Sequence, residues 1–198
     1  MQHEDPGAAV DRVPAVVSGV LYGLAMTEPV AWTDDEIIAK VREFAEANGL
    51  PPPVPVEAAD EFEAAVGHPL PLLLRRIYCE VANGGFGVRG DVVSLVEAGT
   101  WHRFSDADSL GWLHRGWSSA YEGVHPAHVV PLVTMGCGIW WCIDLSTPQG
   151  DMWGIDPNAL CDRHFLFPER FTLAEWLTDW LEGNDAFPEA PPLDCSNC

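Results

Sequence analysis

Two cysteine motifs carry the sharpest chemical spacing in this chain. Cys161-Asp162-Arg163-His164 is a CxxH run and Cys195-Ser196-Asn197-Cys198 a CxxC run. Together, Cys161, His164, Cys195 and Cys198 would supply the four S and N donors of a tetrahedral zinc site. Against this, both runs lie in segments with little pattern of regular structure, and the second is terminal. No thioredoxin-like βαβ pattern surrounds the CxxC, so a redox role is weaker still. The expectation is therefore no metal and no cofactor, with this set as the metal alternative. Asp144, Asp151 and Asp156 offer a second cation possibility if the turn between them gathers their carboxylates.

Seven histidines invite an acid–base reading. His125-Pro126-Ala127-His128 has i, i+3 spacing, but the proline breaks any helix that would align the two rings. No phosphate-binding glycine loop and no HExxH is present, and Gly84-Gly85-Phe86-Gly87 follows a helix instead of opening one. The residues point to a binding protein and not to an enzyme.

Composition sharpens that reading. Thirty Asp and Glu face ten Lys and Arg, a formal charge of −20, and Lys40 is the one lysine. Such a field repels nucleic acid and anionic membranes and speeds encounter with basic proteins. Nine tryptophans offer buried bulk or partner anchors, with Trp101, Trp112 and Trp117 in a Gly-rich middle stretch. Val13–Met26 is apolar but short of the about 20 residues a bilayer requires, and its acidic lead is unlike a signal peptide. A cytoplasmic location is the expectation.

Local signals place these residues. Thr33 and Glu36 form a capping box ahead of Ile37, Val41 and Phe44, and Gly49 stops that helix. A second helix is expected near Glu57–Val66. A third, opening at Pro71 and ending at Asn83-Gly84-Gly85, carries Leu73, Leu74, Ile77, Tyr78 and Val81 to the core. Strands are expected at Val92–Val96, at Val129–Val133 with its edge-favouring proline, and in a hairpin of Ile139–Leu145 with Met152–Ile155. The stretch Asp106–Tyr121 reads as weakly helical, broken by Gly111 and Gly116. Thr172 and Glu175 cap a last helix lined by Leu173, Trp176, Leu177, Trp180 and Leu181. This order implies an α+β domain with a mostly antiparallel central sheet and helices packed on one side. The divisions are an N-terminal extension (1–31) partly packed on the core, the domain (32–183), and a Pro-rich acidic, mobile tail (184–198).

Five pieces in order resemble the SUKH superfamily of bacterial immunity proteins and cell-wall-assembly regulators. They are Leu70–Tyr78 entering the long helix, Val81-Ala82-Asn83-Gly84-Gly85-Phe86-Gly87 after it, the strand Cys142–Ser146, the return Met152–Asp156, and the closing Phe171–Leu177. The resemblance spans roughly Trp32 to Gly183; the long N-terminal segment, the Trp- and Gly-rich stretch and the Cys-bearing tail depart from it. It implies a protein that neutralises a cognate toxin, often a nuclease and hence basic. The candidate contact residues are Trp140, Asp144, Asp156, Glu97 and Asp91, near the hairpin. A regulatory or scaffold protein of the same fold is the alternative, and a metal-dependent enzyme a more distant one.

Overall fold

The computed structural model describes residues 32–97, 109–120, 125–158, 165–184 and 188. All belong to one compact unit, Ala31–Cys198. The proposed N-terminal extension and the Cys161/His164 and Cys195/Cys198 motifs lie outside the described residues, as does Trp101. Of the tail past Asn184, Pro188 is described, and it is buried against Gly154.

Among the described residues, five α-helices and a four-stranded antiparallel sheet make an α+β fold. Helices α1 (Asp34–Asn48), α2 (Val56–Val66) and α3 (Leu72–Glu80) come first, and α4 (Leu110–Ala120) follows. Then come β1 (Val129–Gly136), β2 (Ile139–Asp144), β3 (Asp151–Ile155), β4 (Leu166–Thr172) and α5 (Leu173–Leu181), with the strands in sequential order across the sheet. No helix among the described residues is long and apolar enough to cross a membrane.

The helix ends obey their local chemistry. Thr33 and Thr172 each accept from the backbone N–H three residues on, and Glu36 and Glu175 reach back to the cap backbone. The bond from the Thr33 N–H also holds the Glu36 carboxyl below the usual range. Helix α3 is central, with Leu74, Ile77 and Tyr78 fully buried. It ends at Glu80, earlier than its glycine signal. Two arginines of α3 tie its neighbours to it: Arg75 pairs with Asp60 (2.6 Å) and Glu63 (2.9 Å) of α2, and Arg76 with Asp35 of α1 (2.7 Å).

Asn83-Gly84-Gly85 has a larger task than capping. The Asn83 side chain accepts from Leu95 N–H (2.8 Å) and Val96 N–H (3.3 Å) and donates to Val96 O (3.0 Å). Gly84 sits at φ +86°, where a Cβ would lie 2.8 Å from both Ser94 N and Val92 O. Only glycine permits this backbone and this approach. The facing segment, Val92–Val96, is not the regular strand its composition suggests. It makes a single bridge, Val92 to Val133, because its remaining polar groups go elsewhere. Val93 N–H donates to Leu132 O (2.9 Å), Val93 O accepts from Tyr78 Oη (2.6 Å), and Ser94 O accepts from Leu110 N–H (2.8 Å).

Two more expectations change. Helix α4 runs unbroken through Gly111 and Gly116 because Leu110 and Leu113 are buried, and tertiary burial outweighs weak propensity. Strand β4 had no sequence signal; Pro168 sits in it opposite Trp153, at an outer edge of the sheet. Strand β1 takes the other edge, as its proline implied.

Replacing Asn83 by Ala removes three bonds and strands buried amide groups, so it should lower unfolding free energy by roughly 2–4 kcal/mol. Denaturant midpoints of the two proteins measure the change; a shift equal to that of an exposed control such as Asn48→Ala would contradict the assignment.

Candidate functional site

The hairpin residues proposed as contacts do not form one surface. Strand β2 is buried on both faces: Trp141 and Ile143 on one, Trp140, Cys142 and Asp144 on the other. Period-two patterning assigns residues to faces but does not say that a face is wet. Trp140 is 9% exposed and packs edge-on against Trp117 of α4, ring centroids 6.3 Å apart, so it is core and not a free anchor. Asp91 is also buried. Glu97 is exposed at the far end of the stitched segment, and Asp156 is half-buried. The Asp156 Oδ1 accepts from both the backbone and side-chain N–H of Asn158 (2.8 and 3.0 Å), a local turn.

Asp144 closes the β2–β3 turn. Its Oδ1 accepts from Ser146 N–H (2.8 Å) and Ser146 Oγ (2.6 Å). Asp151 starts the next strand and accepts from Gln149. Asp156 lies past the other end of β3, about 16 Å along the strand from Asp151 at 3.3 Å per residue. The three carboxylates therefore do not gather, and the described residues hold no group of three or more metal-ligating side chains.

What the fold does bring together is a cleft and a set of histidines. The cleft, about 390 Å³, opens between the α2–α3 turn and the β2–β3 turn. His68, Pro69, Pro71, Leu72, Ser146 and Pro148 are among its walls, and Leu72 is 63% exposed. The His68 ring lies 5.8 Å from that of His128, whose Nε2 is 3.8 Å from Asp144 Oδ1. His125 packs beside Trp117, ring centroids 5.8 Å apart. His114 of α4 has its Nε2 3.1 Å from Ala127 O. A carbonyl only accepts, so that nitrogen carries the hydrogen.

The hydroxyls at the cleft are committed to the turn. Ser146 Oγ donates straight to a carboxylate and to no imidazole, and Thr147 Oγ1 donates to Asp144 O (3.2 Å) while accepting from Asp151 N–H (2.9 Å). Burial pushes the Cys142 thiol well above its ordinary value and raises Cys79 as well, so neither favours the reactive thiolate. Local spacing relates His125 to His128 alone; the convergence brings in His68 and His114 from distant positions, which no local spacing signals.

The exposed surface is a different matter. Helix α5 presents Glu175, Asp179 and Glu182 at i, i+4 and i+7 and contains no Lys or Arg. Beside it, α1 exposes Asp34, Asp35, Glu36, Glu43 and Glu46. Phe44 of α1 and Trp180 of α5, both half-buried, meet edge-on at 4.9 Å along the seam between the helices. On α4, Trp112 is 46% exposed.

Removing the Asp144 carboxylate leaves the Ser146 N–H without its acceptor, so Asp144→Ala should cost about 1–3 kcal/mol of stability. Trp112→Ala should stay within about 0.5 kcal/mol of wild type. Thermal unfolding of both variants checks the pair; an Asp144→Ala protein as stable as wild type would return Asp144 to the list of free contact residues. Comparison with protein-family descriptions, with curated proteins and with solved structures yields no match.

Proposed function

We propose that the chain is an immunity-type binding protein that neutralises a basic protein toxin, possessing no chemistry of its own and acting in the cytoplasm of the cell it protects. The five ordered motifs that resemble the SUKH superfamily supply the family and the toxin. The observation that carries the reading is the α1–α5 face. Glu175, Asp179 and Glu182 repeat along α5 and its C-cap without a cation on that helix, and α1, which also exposes Lys40 and Arg42 and gives Asp35 to Arg76, adds Asp34, Glu36, Glu43 and Glu46. Like charges at i, i+4 spacing repel one another in the free protein. A partner bearing Lys and Arg relieves that repulsion and gains complementarity on docking. The Phe44–Trp180 seam adds an aromatic surface suited to a guanidinium.

In this reading the contact is on the helices and not on the hairpin, which is supported by the burial of Trp140 and Asp144 in β2 and of Asp91 ahead of the Val92–Val96 segment. Inhibition is by occlusion: a nuclease binds phosphate through a basic surface, and an acidic helical face covers it. The turn-bound hydroxyls and carboxylates at the cleft agree with a binding role.

Co-expression with the product of a neighbouring toxin gene provides the test. The wild-type chain should restore growth and co-purify with the toxin, with binding that weakens as salt rises. The double variant Asp179→Lys, Glu182→Lys, which leaves the Thr172/Glu175 capping box intact, should lose at least about tenfold in affinity, equivalent to about 1.4 kcal/mol. Equal toxicity with and without the chain would overturn the reading, and full affinity in the double variant would move the contact off α5.

A further inference from the structure

The histidines at the α4–β1 junction have unequal partners, and the inequality has a consequence. His128 has Asp144 Oδ1 at 3.8 Å from its Nε2. His114 directs Nε2–H at Ala127 O. His125 differs. It is 9% exposed, and its Nε2 is buried with no hydrogen-bond partner. The Pro126 backbone can only accept, since proline has no N–H, and its influence favours a hydrogen on the ring's other nitrogen. The neutral ring therefore fits with a bare lone pair at Nε2. The protonated ring would place a new N–H and a positive charge where no acceptor waits.

Nearby charge makes this worse. The described groups that act on His125 through charge are His114, from α4, and His128, from the entry to β1, and both oppose its protonation. His68, from the turn before α3, faces His128, and Asp144, from β2, is the carboxylate on that side, engaged by Ser146 and closest to His128. Burial is the largest cause holding the His125 ring below its ordinary value of 6.5, with the bond to Pro126 pulling the other way.

The element above this ring is lightly held. Helix α4 contains two glycines, each costing about 1 kcal/mol against alanine, and completely buries only Leu110 and Leu113. Its inner ring, Trp117, packs on His125 and Trp140.

We propose that α4 and the approach to β1 form an acid-released latch, in which protonation of His125 frees α4 from the sheet and bares Trp117 and Trp140. The sign follows from linkage. The closed state binds the His125 proton less tightly than the open state. Closure is therefore fully favoured above about pH 6.5 and weakens as pH falls below it. The switch is local and independent of the toxin-binding face on α1 and α5.

Hydrogen exchange followed by mass spectrometry at about pH 7.5 and about pH 5.5 tests it, with rates corrected for intrinsic pH dependence, across the pH range where histidine charge changes. Exchange in residues 110–120 should accelerate several-fold at the lower pH, up to the ceiling of about tenfold that one histidine of ordinary value 6.5 allows over this interval, while α1 and α3 hold their protection. His125→Gln, neutral at both values, should abolish that ratio whatever its rate at neutral pH. His128→Asn removes one repelling neighbour and keeps His125, so it should reduce the ratio without abolishing it. Equal changes in α4 and α1, or a wild-type ratio in both variants, would overturn the latch.

Discussion

A buried backbone segment without a strand's hydrogen-bond ladder must still satisfy its polar groups, and Val92–Val96 is where this fold meets that demand. The segment's bonds go to several parts of the chain: Val93 O to the Tyr78 hydroxyl of α3, Val93 N–H to Leu132 of β1, Ser94 O to Leu110 of α4, Leu95 and Val96 to the Asn83 side chain, and Val92 to Gly85 and Phe86 of the loop after it. Orphaned buried amides are costly, so these partners are obligatory. Because the partners include α3, α4 and β1, satisfying the segment fixes where those three elements stand. It also occupies part of the outer edge of β1, which would otherwise offer bare N–H and C=O groups to a second chain. The Tyr78 phenol, driven far up by burial, stays a donor throughout the working pH range.

The same economy governs charge. With ten cations against thirty carboxylates, the placement of each cation matters. Arg75 and Arg76 are spent joining α2 and α1 to α3, where guanidinium geometry serves two carboxylates at once. Lys40 lies over the Trp32 ring, 4.9 Å from its centroid. Exposed pairs of this kind contribute little each, so the helices are held together chiefly by Ile37, Val41, Leu74, Ile77, Trp176 and Leu177 beneath them. The arginines do more to decide which carboxylates go without an ion pair among the described residues, and Asp179 of α5 is one of them, while Glu175 is engaged by Thr172.

Local signals were legible where local physics decides. The Thr33/Glu36 and Thr172/Glu175 boxes set two helix starts to the residue because both halves of each box lie within one turn. The β2–β3 hairpin could be read from alternation and its Ser-Thr-Pro turn. What could not be read depends on partners distant in sequence. Val92–Val96 has a strand's composition but surrenders its bonds to a tyrosine and an asparagine. Strand β4, with Pro168 and charged residues, forms because β3 offers it an edge. For the site, an even face of Trp, Cys and Asp looks half-wet on β2, and only the arrival of Trp117 from α4 shows that Trp140 is covered. The acidic surface was legible as a number; its spread over the outer faces of α1, α2 and α5 became visible once the buried faces of those helices were known.

The two functional features answer to different electrostatics. A charge of −20 should, at long range, favour protonated histidine everywhere, yet His125 is shifted the opposite way. The distances explain this. Charges on the exposed helix faces act through solvent in which the screening length is about 8 Å at physiological salt. The desolvation of His125 is local to its own buried ring, and the influences of His114 and His128 add to it in the same direction. Net charge therefore sets how the molecule meets a partner, while burial sets how its histidines respond to acid. Raising salt should weaken the first and leave the second nearly untouched, because no mobile ion reaches a ring covered by Trp117.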